Sequence, residues 1–183
     1  MGKFNFIKTS IDGVIIVEPT AYGDSRGYFM ETYQKHDFYD GGIKVDFVQD
    51  NQSMSTKGVL RGLHFQKQYS QSKLVRCIKG EVFDVAVDLR EGSPTFGKWE
   101  GVILSAENKR QFFIPKNFAH GFLVLSDEAE FVYKVDDYYH PNDEGGLMWN
   151  DKDIGIKWPI SEGFEVKLSD KDKIHPPFSE YKK

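Results

Sequence analysis

The segment at residues 82–89 constrains the fold of this chain more than any other. Every second residue in it is large and apolar, namely Phe83, Val85, Val87 and Leu89. A period of two is typical of a β-strand, because successive strand residues point to opposite faces of a sheet. Other short apolar segments predict further strands at residues 14–17, 46–49, 74–78, 101–104, 111–114, 122–125 and 130–135. The sequence therefore predicts a protein built mainly of β-strands.

The spacing of these strands favours a β-sandwich or a barrel. Residues common in turns separate the strands at positions 92–94, 115–117 and 141–142. Many short strands with such turns between them are typical of both architectures. Lys79 and Gly80 predict a tight hairpin that joins residues 74–78 to residues 82–89.

The rest of the chain adds little regular structure to this prediction. A short helix is predicted within residues 31–40, and residues 144–183 look irregular. The sequence contains no internal repeat, low-complexity tract or linker. At 183 residues, the chain is expected to form one domain over residues 1–183.

Charge and composition argue against several classes of function. The chain has 24 basic and 28 acidic residues, and this net charge of −4 argues against general binding to nucleic acid or membrane surfaces. No apolar run approaches the roughly 20 residues of a membrane-spanning helix, and the first residues lack the apolar stretch of a signal peptide. Cys77 is the only cysteine, so an intrachain disulfide cannot form. We therefore expect a cytoplasmic protein.

Residues 58–66 carry the strongest functional signal. Arg61 and His64 lie close together in a run that otherwise reads as a buried strand. A core does not need these two residues, because burying an unpaired charge is costly. A site that binds an anion and transfers a proton needs both. The strand is therefore expected to border a functional site.

Histidines on strands first suggest a metal site, because imidazole is the commonest metal-binding side chain. His64 and His120 are the candidates, and His120 follows a turn that leads into a predicted strand. The spacing argues against a metal, because Gln66 stands where a second histidine would be needed and no acidic residue follows before Glu81. Two histidines and a glutamine suit zinc or iron poorly. No resident metal is expected.

A proton-transfer site without a metal fits these residues better. The ordinary pKa of histidine lies near neutrality, which suits His64 to act as a general base. Such a base needs a carboxylate to fix its tautomer. Asp172 is a candidate for that carboxylate, although spacing alone does not select it. Tyr133 lies among apolar residues and could donate a proton.

Several cations and a pair of tyrosines suggest a bound nucleotide. Arg26 lies in a turn, and Arg61 and Lys73 are flanked by strand residues. A pocket of two or three cations would suit a diphosphate, because guanidinium groups bind phosphate through paired hydrogen bonds. Tyr138 and Tyr139 offer a flat ring on which a base could stack.

A set of motifs then runs in order through nearly the whole chain. It comprises residues 24–29 with Glu31, 47–51, 59–66, 73–76, 80–88, 104–108, 114–122, 133–134, 138–139, 149–151, 154–156 with 158–159, and 168–172. In these motifs the chain resembles the dTDP-4-dehydrorhamnose 3,5-epimerase family. The ordered set is very specific, whereas one motif alone would not be.

The resemblance implies a mainly β fold, a cupin-type jelly roll or β-sandwich with short peripheral helices, and a homodimer formed through strand contacts. It implies that dTDP-4-dehydro-6-deoxy-D-glucose is inverted at carbons 3 and 5 to give dTDP-4-dehydro-L-rhamnose. The ketone at carbon 4 acidifies both neighbouring protons, so each inversion passes through an enolate. The implied product serves dTDP-L-rhamnose and cell-surface polysaccharide or lipopolysaccharide biosynthesis. No cofactor is implied, in agreement with the absence of a glycine-rich dinucleotide loop.

The resemblance also implies a role for each site residue. His64 would be the base, held by Asp172, while Tyr133 would be the acid and Lys73 would stabilise the enolate oxygen. Tyr139 would stack on thymine. The implied substrate-binding residues besides Tyr139 are Arg26 and Arg61, which would hold the diphosphate or sugar, and Glu31, Gln49, Asn51, His120, Glu144 and Lys171.

Three alternatives remain open from the sequence. A relative could epimerise carbon 3 alone or isomerise a related keto sugar, although Tyr133 favours the double epimerase. A metal-dependent cupin oxygenase is disfavoured by Gln66. A non-catalytic module that binds sugar nucleotides would not need His64, Lys73 and Asp172 together with Tyr133.

One geometric conflict is visible in the sequence itself. Arg61 and His64 are an odd number of residues apart, so a regular strand would point them to opposite faces. The resemblance places both in one pocket. Gly62 is predicted to mark a bulge or bend that brings them to the same side.

Overall fold

The chain folds into two facing antiparallel β-sheets and a separate small hairpin in this computed structural model, which describes residues 3–181. The strands in chain order are β1 (Phe4–Lys8), β2 (Ile15–Pro19), β3 (Tyr22–Asp24), β4 (Gly27–Phe29), β5 (Gln49–Thr56), β6 (Leu60–Gln66), β7 (Lys73–Lys79), β8 (Glu81–Asp88), β9 (Trp99–Ser105), β10 (Gln111–Ile114), β11 (Phe118–Val124), β12 (Glu128–Val135) and β13 (Glu144–Gly146). The described part of the chain also contains two short helices, α1 (Lys35–Asp40) and α2 (Phe178–Tyr181). Among the described residues, no helix is long and apolar enough to cross a membrane.

The order of strands distributes neighbouring segments between the two sheets. The six-stranded sheet has the order β1-β2-β10-β7-β12-β5, and the five-stranded sheet has the order β13-β6-β11-β8-β9. Within residues 3–181, strands β3 and β4 pair only with each other. This arrangement confirms the predicted β-sandwich with short peripheral helices.

The main core lies between the two sheets. Val75, Phe112 and Phe131 from the six-stranded sheet pack in one cluster with Val82 and Phe122 from the five-stranded sheet. Burying a side chain of this size contributes about 1.5–3 kcal/mol relative to leaving it exposed. The packed faces therefore fix the distance between the sheets, and with it the geometry of any site at their edge.

A second core covers the outer face of the five-stranded sheet. The alternating side chains of β8 pack there, as the sequence predicts, against Leu147, Ile154 and Phe178 from the C-terminal part of the chain. Residues 144–181 contain little regular structure, again as predicted, but they pack closely on this sheet. A 3₁₀ turn at Asp172–Ile174 lies within this segment and comes beside β6.

Two details of the predicted strands are wrong. Strand β5 begins only at residue 49 and runs to residue 56, whereas the prediction covered residues 46–49. Its sequence is mostly polar, with Gln49, Asn51 and Ser53 alternating with more exposed residues. A strand that buries few apolar residues shows no hydrophobic period, and β5 lies at the edge of its sheet.

The predicted hairpin at Lys79 and Gly80 is also wrong in its pairing. Gly80 does make the turn, with φ +73°, but β7 pairs with β10 and β12 while β8 pairs with β9 and β11. Strand β7 belongs to the six-stranded sheet and β8 to the five-stranded sheet, so the chain passes from one sheet to the other at Gly80. The predicted helix within residues 31–40 starts later, at Lys35.

Gly62 interrupts the ladder of β6 as predicted. Strand β11 pairs His120 with His64 but Phe122 with Arg61, which shifts the register between the two pairs. Gly62 has φ +133°, and a Cβ atom there would lie 2.6 Å from the Cα of Gly121. Only glycine fits such a close approach of two strands. The irregularity brings Arg61 and His64 to the same cavity.

Candidate active site

A cavity of about 480 Å³ opens where the two sheets meet the C-terminal segment. Strands β6 and β11 of one sheet and β7 and β12 of the other supply its walls, and the 172–174 turn closes one side. The polar residues that line it are Ser53, Arg61, His64, Lys73, His120, Tyr133, Lys167, Ser169, Lys171 and Asp172. The cavity therefore gathers all four predicted catalytic residues.

His64 and Asp172 form a hydrogen-bonded pair in the cavity wall. The Nε2 atom of His64 lies 2.5 Å from Oδ1 of Asp172, and Ser169 Oγ donates to Oδ2 over 2.8 Å. Asp172 is buried, while about a third of the His64 side chain is exposed to the cavity. Burial alone would raise the pKa of Asp172, but hydrogen bonds from His64 and Ser169 outweigh it and lower the pKa. The carboxylate therefore stays ionised and orients the imidazole.

Tyr133 lies on the wall opposite His64. It projects from β12 of the six-stranded sheet, whereas His64 projects from β6 of the five-stranded sheet. Burial raises the pKa of the Tyr133 phenol, and the charge of Arg61 acts in the opposite direction. Ser55 Oγ accepts hydrogen bonds from Arg61 at 3.1 and 3.0 Å, which fixes the guanidinium. A planar ligand held between the two sheets would meet His64 and Tyr133 on opposite faces.

Lys73 supplies a cation whose charge is sensitive to pH. Burial lowers the pKa of its ammonium group to about 8, although the charge of Asp84 partly offsets this effect. Asp84 is itself buried, and its two oxygens lie 3.0 and 2.9 Å from Nε2 of His120. Burial raises the pKa of Asp84 and lowers the pKa of His120. His120 is thus held rigidly beside His64 on the neighbouring strand.

Some predicted substrate-binding residues line neighbouring spaces instead. The cavity of about 480 Å³ is the main cavity of the site. A smaller cavity of about 110 Å³ shares His64, Lys73 and Tyr133 with it and also contacts Tyr139 and Glu144. Lys171 lines the main cavity and forms an ion pair with Glu144. These residues extend the site along its edge.

Gln49 and Asn51 lie on β5, next to the wall that carries Tyr133. The Gln49 amide donates to Asn51 Oδ1 over 2.9 Å, and Asn51 is paired with Tyr133 across the ladder. Asn51 and Tyr133 both line a further cavity of about 520 Å³. Gln49 and Asn51 are therefore neighbours of the candidate site and lie outside its main cavity.

Arg26 and Glu31 are the two predicted binding residues that lie away from these walls. The Arg26 side chain is 88% exposed on the β3–β4 hairpin, where it pairs with Asp24 at 2.6 Å. Lys3 pairs with Glu31 at 2.7 Å, and Oε2 of Glu31 is buried without a hydrogen-bond partner among residues 3–181. Neither residue lines the main cavity.

The structure adds residues that the sequence did not single out. Asp84, Ser55 and Ser169 hold predicted site residues in place, and His175 lies beside Asp172. Asp84 carried a usable signal, because a charged residue at the centre of an apolar strand needs a buried partner. The two serines gave no signal, since hydroxyl groups are common throughout the chain.

Comparison with known proteins identifies the family. The family model described as dTDP-4-dehydrorhamnose 3,5-epimerase matches residues 8–180. A Shigella flexneri protein of that name is 61% identical over 170 residues, which cover 92% of each chain. The chain belongs to the dTDP-4-dehydrorhamnose 3,5-epimerase family.

Solved structures agree with this assignment. A Legionella pneumophila dTDP-6-deoxy-D-glucose-3,5-epimerase, in complex with dTDP-4-keto-L-rhamnose, superposes with a TM-score of 0.92 at 55% identity, covering 96% of this chain and 93% of that one. Its fold confirms the predicted cupin-like β-sandwich. A 3'-monoepimerase from Streptomyces bikiniensis, in complex with dTDP-quinovose, is more distant, with 35% identity, a TM-score of 0.86 and coverage of 93% and 86%.

Proposed function

We propose that the cavity inverts carbons 3 and 5 of dTDP-4-dehydro-6-deoxy-D-glucose and so forms dTDP-4-dehydro-L-rhamnose. The observation that supports this most is the placement of a histidine–carboxylate pair and a tyrosine on facing sheets, His64 with Asp172 and Tyr133. A dTDP-linked keto sugar is also the ligand of the Legionella relative.

In the proposed reaction, His64 removes the proton from the carbon next to the ketone. The electron pair of the broken C–H bond moves into an enolate whose oxygen, at carbon 4, is stabilised by the ammonium group of Lys73. Asp172 stabilises the imidazolium that forms. Tyr133 then donates its phenolic proton to the same carbon from the opposite face, which inverts the centre.

Both groups must return to their starting states before the second carbon reacts. Arg61 stabilises the tyrosinate that remains after proton donation, in keeping with its effect on the Tyr133 pKa. Proton exchange with solvent then restores His64 as base and Tyr133 as acid. The same cycle at the second carbon completes the double inversion without any change in oxidation state.

Nucleotide recognition in this proposal uses the rim of the site. Arg61 and His120 contact the sugar or the diphosphate, and Tyr139 stacks on thymine. Half of the Tyr139 surface is exposed, which leaves a ring face for stacking. Lys171 lines the cavity and forms an ion pair with Glu144, which supports a role for this pair in contacting the ligand along the same edge.

A 3-only epimerase is the nearest competing function. The Streptomyces 3'-monoepimerase has been solved as a double mutant with one histidine and one tyrosine replaced, so a histidine–tyrosine pair does not separate the two activities. Tyr133 is therefore weaker support for double inversion than its presence in the sequence suggested. Support comes instead from the higher identity to proteins named 3,5-epimerases.

The function is tested by trapping the product. The purified protein is incubated with dTDP-4-dehydro-6-deoxy-D-glucose, and a 4-keto reductase that uses NADPH converts the product to a stable sugar. Formation of dTDP-L-rhamnose is the expected result. A sugar inverted only at carbon 3 would move the assignment to the monoepimerases, and unchanged substrate would contradict an epimerase altogether.

The ionisation of Lys73 predicts an alkaline limit to activity. Because its pKa is lowered to about 8, the ammonium is charged below that pH and loses its proton as the pH rises through it. The kcat/KM, which reports groups of the free enzyme, should therefore fall above about pH 8. Lys73→Met should lose about 10²–10³-fold in kcat/KM below about pH 8, and the loss should shrink above that pH, where the parent lysine is itself neutral.

Lys73→Arg is the matched variant for this alkaline fall in kcat/KM, because its guanidinium stays charged over the whole pH range of the assay. The variant should be slower than the parent, since the donor is displaced, but its alkaline fall should vanish or move to higher pH. An unchanged fall in Lys73→Arg would show that another group sets the limit.

We also propose that the protein is a homodimer whose hairpins complete the partner's sites. The β3–β4 hairpin exposes Tyr22, Tyr28 and Phe29, each more than half accessible. Clustered exposed aromatic residues mark interaction surfaces. A second copy seated on this hairpin would also explain how Arg26, and Glu31 just beyond it, bind substrate although they lie away from the cavity.

Complementation tests this shared site. Arg26→Ala should weaken dTDP binding by roughly tenfold or more, the value of a charge-assisted hydrogen bond. A mixed dimer of Arg26→Ala and His64→Ala protomers, co-expressed with different tags, should regain one intact site. Activity no higher than that of the two parents, or a monomer in sedimentation equilibrium, would contradict the proposal.

The remaining parts of the proposal follow from the product. A nucleotide-activated sugar is made where nucleotides are available, so we propose a cytoplasmic location and a role in lipopolysaccharide or other cell-surface polysaccharide biosynthesis. The proposed partner is the sugar nucleotide, with no role in binding nucleic acid or membranes. The net charge of −4 supports the latter point.

A further inference from the structure

A second histidine lies behind the catalytic pair and takes no part in the proposed reaction. Nε2 of His175 lies 3.3 Å from Oδ1 of Asp172, the same oxygen that contacts Nε2 of His64. The two imidazole rings are 5.4 Å apart and nearly perpendicular. One donor atom from each of His64, Asp172 and His175 lies within 4.8 Å of the other two.

His175 is held in place with an unused ligand atom. It is 8% exposed, and its Nε2 has no hydrogen-bond partner among residues 3–181, because the contact with Asp172 lacks hydrogen-bond geometry. A buried polar atom without a partner is unusual in a folded protein. A neutral imidazole offers one ring nitrogen with a lone pair that can bind a metal ion.

The backbone makes specific room for this ring. Gly146 of β13 lies against it, and a Cβ atom at that position would come within 2.2–2.5 Å of the ring atoms of His175. The same glycine is paired with His64 across the sheet. Gly146 thus allows the two histidines to converge on one carboxylate.

We propose that His64, Asp172 and His175 form a binding site for a divalent transition metal such as zinc, and that metal binding switches the enzyme off. Two imidazoles and a carboxylate are a donor set that zinc binds, with water in the fourth position. Nε2 of His175 and Oδ1 of Asp172 are 3.3 Å apart. This is the separation expected of two ligand atoms that each lie about 2.0–2.1 Å from one tetrahedral ion. The shorter distance between Nε2 of His64 and Oδ1 of Asp172, 2.5 Å, must lengthen slightly for both atoms to bind the same ion.

The charges around the site select among metals. Arg61, Lys73 and Lys171 line the same cavity and oppose any cation. Magnesium and calcium, which depend on several oxygen ligands, should therefore not bind. A metal that prefers nitrogen donors gains enough from the two imidazoles to compete.

Inhibition follows from the tautomer that the metal imposes, and this step rests on the proposed role of His64. An ion on Nε2 replaces the hydrogen bond to Asp172, so the neutral ring must carry its proton on Nδ1. A ring in that state has no free nitrogen with which to accept a proton. The cluster can be reached from two sides, since the main cavity touches His64 and Asp172 and a second cavity of about 580 Å³ touches His175.

The fold explains why spacing in the sequence did not reveal this site. The spacing in the sequence groups His64 with His120 and Gln66, but His120 is hydrogen-bonded to Asp84. The third ligand comes from residue 175, which only the C-terminal segment brings beside β6. The proposed ion is an inhibitor that binds reversibly, and the reaction itself uses no resident metal.

The test measures metal binding and inhibition separately. The metal-free protein is titrated with cobalt(II) by visible absorption and with zinc chloride by calorimetry, and one ion per chain is expected. Loss of a supporting outer-shell partner costs about 10–100-fold in metal affinity, so losing the ligand in His175→Gln should cost at least about 100-fold. His36→Gln, which removes an exposed histidine on α1, is the matched control and should bind as the parent does.

Zinc sensitivity of turnover is expressed relative to each protein's own zinc-free rate. Zinc should inhibit the parent and His36→Gln, and EDTA should restore the activity of both. The turnover of His175→Gln should be insensitive to the same zinc concentration. Equal zinc binding in His175→Gln, or no binding of cobalt or zinc by the parent, would overturn the proposal. If the parent has no epimerase activity, the proposed function fails but the cobalt titration still decides whether the metal site exists.

The thermal stability of the parent protein gives a readout that needs no variant. An ion that binds the folded state alone raises the unfolding temperature. Zinc should do so at concentrations where magnesium does not. An equal shift with both ions, or none with zinc, would contradict the site even if His175→Gln failed to fold.

Discussion

Replacing His64 with alanine is expected to reduce turnover by about 10²–10⁴-fold, the usual contribution of a general acid–base group. That loss corresponds to about 3–5 kcal/mol of transition-state stabilisation. The reason is that His64 is the residue of the cavity that combines partial exposure with a buried carboxylate partner, Asp172. Steady-state kinetics with the dTDP-linked keto sugar measures the effect.

The binding of dTDP separates loss of chemistry from loss of the site. The nucleotide contacts proposed for Arg61 and Tyr139 do not involve the imidazole, so the dissociation constant of dTDP should change by less than about threefold in His64→Ala. His36→Ala removes an exposed histidine outside the cavity and should leave both quantities unchanged. Near-normal turnover in His64→Ala would contradict the assignment of His64 as the general base.

Tyr133→Phe is expected to block inversion but to preserve proton removal. The variant keeps the ring and loses only the phenolic proton, so formation of the double epimer should fall by about 10²–10⁴-fold. His64 still forms the enolate and returns a proton from its own face. In heavy water, the recovered starting sugar should therefore carry deuterium with its configuration unchanged.

This outcome distinguishes an acid from a residue that merely packs. A packing role would reduce exchange and inversion together, because a disturbed cavity positions the substrate poorly for both. Tyr39→Phe, on the exposed side of α1, is the matched control and should exchange and invert as the parent does. Inversion at the parent rate in Tyr133→Phe would require a different acid.

Much of the fold could be predicted because its strands bury apolar faces. The alternation in β8 and the short apolar runs in β10 and β12 gave nearly the observed strand positions. Strand β5 was largely missed, since its less exposed positions, Gln49, Asn51 and Ser53, are polar and leave no apolar period. The turn at Gly80 was predicted, but local sequence does not encode which sheet a strand joins.

The kinds of side chain in the candidate site could be predicted better than which of them lie in contact. The pairing of His64 with Asp172 joins residues far apart in the sequence, and only the C-terminal segment folding over the five-stranded sheet brings them together. The odd spacing of Arg61 and His64 did point to the irregularity at Gly62, because a regular strand could not place both in one cavity. His175 carried no signal, since its position behind Asp172 depends on the same long-range packing.

The most direct test of the central claim is proton NMR of the purified protein with dTDP-4-dehydro-6-deoxy-D-glucose in heavy water. If the cavity removes and returns protons beside the ketone, deuterium should enter at carbon 3 and at carbon 5, and the sugar signals should change to those of the doubly inverted product. Deuterium at carbon 3 alone would contradict the double inversion. No deuterium at either carbon, with dTDP still bound, would contradict the claim that His64 and Tyr133 form an epimerase site.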